Sequence, residues 1–233
     1  MHCTVIHGHR GARGLAPENT LGGFSLAMAI GVSALELDVN VSADQRIVIH
    51  HDPRLNPVLT RDYTGNWLNN PGPLLSQTPF EKLCCYDIGR LRPGSDQDLN
   101  FPHQIAMDGQ HIPTLAEVAD LLHERRADEI LLNIEAKCNP NKLDRTLSPV
   151  DFATLLVREL DASGLLERCW IQSFNWHFLQ ALQGLEPTLR TGYLTAEQPK
   201  FDTIGAAFPE PSPWLAGFDP RLLIDSNIIL PII

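Results

Sequence analysis

Two carboxylates two residues apart, Glu36 and Asp38, stand in the run Ala34-Leu35-Glu36-Leu37-Asp38-Val39-Asn40, where polar and apolar residues alternate strictly. Period-two alternation predicts a β-strand. Glu36 and Asp38 would then project from one face about 7 Å apart, with Leu35, Leu37 and Val39 on the other. Buried together, two like charges are costly unless a cation compensates them or one is protonated. Oxygen ligands of this kind suit Mg²⁺ or Ca²⁺ better than Zn²⁺, which favours His and Cys in tetrahedral sites. A solvent-facing strand edge gives the same pattern, so other residues must decide between the two.

Those residues stand at further strand ends. The stretch Thr4 to Gly11 reads as a strand that breaks into a glycine turn and places His9 and Arg10 at its end. Arg46 to Pro53 reads as another, and His51 shares parity with Ile47 and Ile49, at the end of an inward row. In Ile130 to Lys137 the residues Asn133, Glu135 and Lys137 share one face, which adds a third carboxylate and a cation. Histidine titrates near neutrality and can give or take a proton there. Arginine and lysine bind anions, and carboxylates hold a hard cation. Glu18 and Asn19 precede a helix; they either cap it or contact Arg10, and a supporting role behind the site is favoured. Asp52 is assigned to the turn before Pro53, and the remaining histidines to structural positions.

The elements that must carry these residues alternate. A helix capped by Asn19 or Thr20 stops at Gly31. Another begins at the capping-box pair Thr114 and Glu117, and a third has Ser148 as cap, Pro149 in its first turn and a stop at Gly164. Arg168 to Asn175 reads as a strand, Trp176 to Leu185 as a helix, Arg190 to Leu194 as a strand and Trp214 to Phe218 as a further strand. Alternation of this kind implies a parallel sheet with helices outside. No GxGxxG turn supports an open dinucleotide-binding sheet, and polar inward rows favour a (β/α)₈ barrel of the TIM type. Residues 53–111 break the rhythm. With one short helical candidate, Pro79 to Leu91, they read as an insertion capping one barrel end, either a functional lid or a mere flap. By this count the chain, ending in Ile228-Ile229-Leu230-Pro231-Ile232-Ile233, stops two βα units short of closure.

Composition bounds the partners. The 233 residues suffice for one α/β domain over 1–233, with no dividing linker. The formal charge of −10 argues against a nucleic-acid partner, which requires a basic surface. Five cysteines, an odd number without Cys-x-x-Cys spacing, give neither a disulfide framework nor a zinc knuckle. With no signal-peptide pattern and no apolar run of spanning length, the chain reads as cytoplasmic and without stable membrane insertion. Nothing in the sequence sets its oligomeric state.

Taken in order, His9-Arg10-Gly11, Pro17-Glu18-Asn19-Thr20, Glu36-Leu37-Asp38, His51-Asp52 and Ile134-Glu135-Ala136-Lys137 resemble the glycerophosphodiester phosphodiesterase family, supported by Ile112-Pro113-Thr114-Leu115 and Gln172-Ser173-Phe174. The resemblance covers nearly the whole chain. It implies a (β/α)₈ barrel with a capping insertion after the second barrel strand, and hydrolysis of a small-molecule glycerophosphodiester to glycerol 3-phosphate and an alcohol. By the same resemblance Glu36, Asp38 and Glu135 would hold a divalent cation, His9 and His51 would be the acid/base pair, and Arg10 and Lys137 would hold the phosphate. The family's late Trp-Thr-Val-Asn-like segment is not visible here. Two rival readings are an amidohydrolase-like barrel, suggested by His7-Gly8-His9, and a phosphate-binding relic without turnover.

Overall fold

In the computed structural model, residues 4–205 and 212–218 are described. One sheet organises them, in the order β1 (His7–Gly8), β2 (Ala34–Val41), β4 (Leu131–Ala136), β5 (Cys169–Ser173) and β6 (Arg190–Tyr193), all parallel. β3 (Ile47–Ile49) pairs antiparallel with the far end of β2, Val39 opposite Ile49 and Val41 opposite Ile47. Five parallel strands with helices on one side form an arc of barrel wall. The described residues do not close it.

Local chemistry starts and stops the helices. In α1 (Leu21–Ile30) the Thr20 side chain accepts from the Gly23 N–H, and Gly31 takes the left-handed conformation (φ 96°) that only glycine adopts without strain. α4 (Leu115–Glu124) begins with the Thr114–Glu117 capping box, in which each side chain meets the other residue's backbone N–H. α5 (Pro149–Ala162) has Ser148 as cap and Pro149 in its first turn; α6 (Trp176–Leu185) is capped by Asn175. The apolar stripes of these helices (Phe24, Val118, Leu122, Phe152, Leu156, Phe178) pack on Leu35, Leu37, Val39, Leu132, Ile134 and Ile171. That layer is the core. The opposite face of the same strands, turned towards the barrel axis, carries Glu36, Asp38 and Glu135.

Residues 53–111 hold only short helices, α2 (Phe80–Leu83) and α3 (Asp96–Asn100), around a small cluster that includes Leu55, Leu75, Leu83, Ile88 and Ile112. The helix expected over Pro79 to Leu91 shrinks to four residues. Three contacts tie the segment to the β1–α1 connection and the first turn of α1: Ile105 N–H to the Leu15 carbonyl, Gln104 Nε2 to the Arg13 carbonyl and Gly22 N–H to Gln110 Oε1. β7 (Glu197–Gln198) and β8 (Phe201–Asp202) form a small antiparallel ribbon after β6.

Three sequence expectations change. Trp214 to Phe218 is a turn rather than a strand, because Ala216 (φ 50°) and Gly217 (φ 82°) are left-handed and the Trp214 N–H is held by Ser212 Oγ. The first strand is only two paired residues long, since Arg10 (φ 51°) and Gly11 (φ 86°) bend the chain away. Ile47 and Ile49 join the helix-side core instead of an inward row, so parity does not bring His51 to the barrel axis; the strand ends at Ile49 and the chain turns. Ile228 to Ile233 lies outside the described residues.

Candidate active site and metal centre

Strand register brings the carboxylates together. β2 and β4 pair with Asp38 beside Glu135 and Glu36 beside Asn133, so side chains of equal parity emerge side by side on one face. One oxygen each from Glu36, Asp38 and Glu135 lies within 4.8 Å of the others, and all three residues are buried.

Their compensation is uneven. Asp38, 1% exposed, receives Lys137 Nζ at 2.8 Å, Arg10 Nε at 3.1 Å and Asn19 Nδ2 at 2.8 Å. Burial alone would raise its pKa, but Lys137, with His51 and Arg10, outweighs burial and holds the carboxyl below the usual range. Glu135 shares Lys137 at 2.5 Å. Glu36 accepts the Arg10 backbone N–H at 2.7 Å, and its nearest basic side chain is His9, 3.8 Å away. Burial, followed by the charge of Asp38, pushes Glu36 up to about 8. Fully ionised, the trio would carry more negative charge than Lys137 and Arg10 balance, and the raised pKa of Glu36 reflects that deficit. A buried, all-oxygen set with that deficit fits a hard divalent cation and not a Zn²⁺ cage.

Arg10 is locked from behind, with Nη1 2.8 Å from Glu18, whose second oxygen meets Arg13 Nε at 2.6 Å. Asn19, also left-handed (φ 54°), accepts the Asp38 N–H on Oδ1 while donating from Nδ2 to Asp38 Oδ2. Non-glycine residues in this conformation are uncommon and concentrate at functional sites. Thr20 is the helix cap, which leaves Glu18 and Asn19 as braces of Arg10 and Asp38.

His9 is largely exposed at the rim, and burial followed by the Arg10 charge lowers its pKa. His51 holds its Nδ1 2.8 Å from Asp52 Oδ1. Asp52, expected only to fix the turn before Pro53, is the partner of His51, and its adjacency to that histidine in the sequence is the signal for this. His9, Arg10, His51, Glu135 and Lys137 line one cavity of about 540 Å³. Its far wall is aromatic, Phe201 standing edge-on to Phe174 (5.0 Å) and Trp214 (5.5 Å). All nine residues singled out from the sequence therefore converge here, seven around the carboxylates and cavity and two behind them.

A family model described as the glycerophosphoryl diester phosphodiesterase family matches residues 9–217. A glycerophosphodiester phosphodiesterase from Bacillus altitudinis is 41% identical over 199 residues, covering 83% of this chain and 67% of its own. Among solved structures, a Silicibacter pomeroyi protein described as of this class superposes with a TM-score of 0.78 at 31% identity, over 85% of this chain and 67% of the other. An Oleispira antarctica phosphodiesterase, solved with the product sn-glycerol-3-phosphate, gives 0.61 at 26% identity, over 88% and 68%. The chain spans about two thirds of the length of the curated relatives it matches. Since the match runs from His9 past Lys137 to the turn beside the aromatic wall, the chain belongs to the glycerophosphoryl diester phosphodiesterase family.

Proposed function

We propose that this chain hydrolyses glycerophosphodiesters to glycerol 3-phosphate and an alcohol, with Mg²⁺ or Ca²⁺ as cofactor. The observation that carries the reading is the buried trio Glu36, Asp38 and Glu135, of which Glu135 lines one cavity together with His9 and His51. Held by those three carboxylates, a divalent cation supplies charge neutralisation at the non-bridging phosphate oxygens. Arg10, braced by Glu18, adds a fixed positive charge at the same mouth. Lys137, paired with Asp38 and Glu135, is the less direct phosphate ligand of the two.

The remaining need is proton transfer. As a hypothesis, His9 takes the proton of the nucleophile, either the glycerol's neighbouring hydroxyl or a water. The nucleophile's oxygen bonds to phosphorus, the bond from phosphorus to the alcohol oxygen breaks, and His51 gives that oxygen a proton. Where the hydroxyl attacks, a water then opens the cyclic phosphate to glycerol 3-phosphate with the two proton transfers reversed. The Asp52 carboxylate on Nδ1 orients the His51 ring for its proton transfer. The aromatic wall offers room for one alcohol portion. A cytoplasmic setting accords with the unpaired cysteine pattern of the sequence.

The amidohydrolase-like alternative loses ground, because among the described residues the only metal-competent group of three is all carboxylate. A panel of glycerophosphodiesters assayed for glycerol 3-phosphate release with Mg²⁺, Ca²⁺ and chelator tests class and cofactor together. Release that persists in chelator removes the cation, and no release from any diester leaves the relic reading. His9→Ala and His51→Ala should each lower kcat about 10²-fold or more. A p-nitrophenyl leaving group, needing no proton, should rescue His51→Ala and not His9→Ala; the opposite pattern exchanges their roles.

A further inference from the structure

His51 leaves the sheet on a loop, where a side chain is less well aimed than on a strand. Its neighbours remove that freedom. Asp52 Oδ1 meets His51 Nδ1, and Asp52 Oδ2 accepts from Asn56 Nδ2 at 2.9 Å, so the carboxylate is held at both oxygens. The backbone of Asp52 is held too, because the buried His50 ring places Nδ1 2.9 Å from the Asp52 carbonyl oxygen. A carbonyl can only accept, so His50 Nδ1 carries the proton. Burial disfavours a second one. His50 Nε2 is then bare, and it has no hydrogen-bond partner among the described residues. Asn40 Nδ2, from β2, donates to the His50 carbonyl at 2.7 Å and fixes the loop to the strand beside Asp38.

We propose that His50 is a positioning residue: by donating to the Asp52 carbonyl it sets the Asp52 carboxylate on His51 Nδ1 and so aims His51 Nε2 at the cavity. The proposal rests on the functional reading above, in which His51 touches the reacting atoms. His50 does not line the 540 Å³ cavity; it lines a second space of about 10 Å³, shared with His51, Pro17, Glu18 and Asn19 and too small for any substrate. Two links, 50 to 52 and 52 to 51, thus reverse the chain within three residues and give one imidazole the task of orienting the next.

The side chain of His50 has two nitrogens, and two substitutions separate them. His50→Phe keeps the ring and removes the donor. His50→Asn keeps an N–H donor near the Nδ1 position and removes the Nε2 side. In the full chain with Mg²⁺, His50→Phe should lower kcat about 10-fold while KM stays within about twofold, the size expected for an orienting partner. His50→Asn should recover most of that loss. Nitrogen-15 spectra of the imidazoles supply the readout that a merely structural role would not move. Wild type and His50→Asn should show a slowly exchanging His51 Nδ1–H, and His50→Phe should lose it. Asn56→Ala, at a half-buried position, loosens the same carboxylate from its other oxygen and should weaken that signal even where His50→Phe fails to fold. An unchanged His51 signal in both His50→Phe and Asn56→Ala overturns the proposal. If wild type turns over no diester, the functional reading falls, while the imidazole spectrum still decides the clamp.

Discussion

The two faces of β2 and β4 obey opposite rules. On the helix side Leu35, Leu37, Val39, Leu132 and Ile134 are all fully buried in one apolar layer, and each adds stability by leaving water. On the axial side the same strands bury Glu36, Asp38 and Glu135 within reach of one another, an arrangement that opposes folding unless Arg10, Lys137 and Asn19 offset it. One face is built for stability and the other holds charge in readiness. Alternation lets both arise from the same short runs, Leu35 to Val39 in β2 and Leu132 to Glu135 in β4.

Substitutions should separate the faces. The largest effect is expected where the polar face is itself structural. Asp38→Ala takes from Arg10 and Lys137 one of the two carboxylates that each holds, so it should abolish diester turnover and also cost about 3 kcal/mol in denaturant unfolding. Leu37→Ala, its neighbour on the other face, should cost about 2–5 kcal/mol of stability and leave kcat per folded molecule unchanged. If turnover fell equally with both, the division between faces would be wrong.

Glu36 sharpens the contrast. It lacks a close cationic side chain, so Glu36→Gln should remove turnover yet leave the chelator-treated protein as stable as wild type or more so. At about 100 times its Kd, Mg²⁺ or Ca²⁺ should stabilise wild type by about 2.7 kcal/mol in a thermal melt and do nothing comparable for Glu36→Gln. The smallest effect concerns the core face alone. Burial pushes the thiols of Cys138 and Cys169 up to about 12, so at pH 8 they are protonated and shielded. Iodoacetamide mapped by peptide mass should modify the exposed Cys84 and Cys85 first. Raising the pH towards 12 increases the thiolate fraction and should bring Cys138 and Cys169 into reaction only then, or once the chain unfolds.

Much of this was legible one residue at a time. Thr20, Thr114 and Ser148 cap helices because a hydroxyl beside a free backbone N–H acts within one turn, and Gly31 ends one because no side chain obstructs its left-handed backbone. The parity of Glu36, Asp38 and Glu135 follows from the two-residue repeat of a strand. Those rules are local, and the sequence by itself determined them. Three things were decided only by tertiary structure. The register of β2 on β4 sets whether the carboxylates meet, and no residue within either strand specifies it alone. The turn after Ile49, against the parity of its strand, brings His51 to the cavity because Asn40 and Asp52 hold the loop there. Trp214 reads as strand yet packs into a turn against Phe201, since burying an indole is worth more than the extended preference of a short run ending in glycine. Propensity acts through neighbours in the chain, whereas register and burial act through neighbours in space, and only the folded chain supplies the second kind.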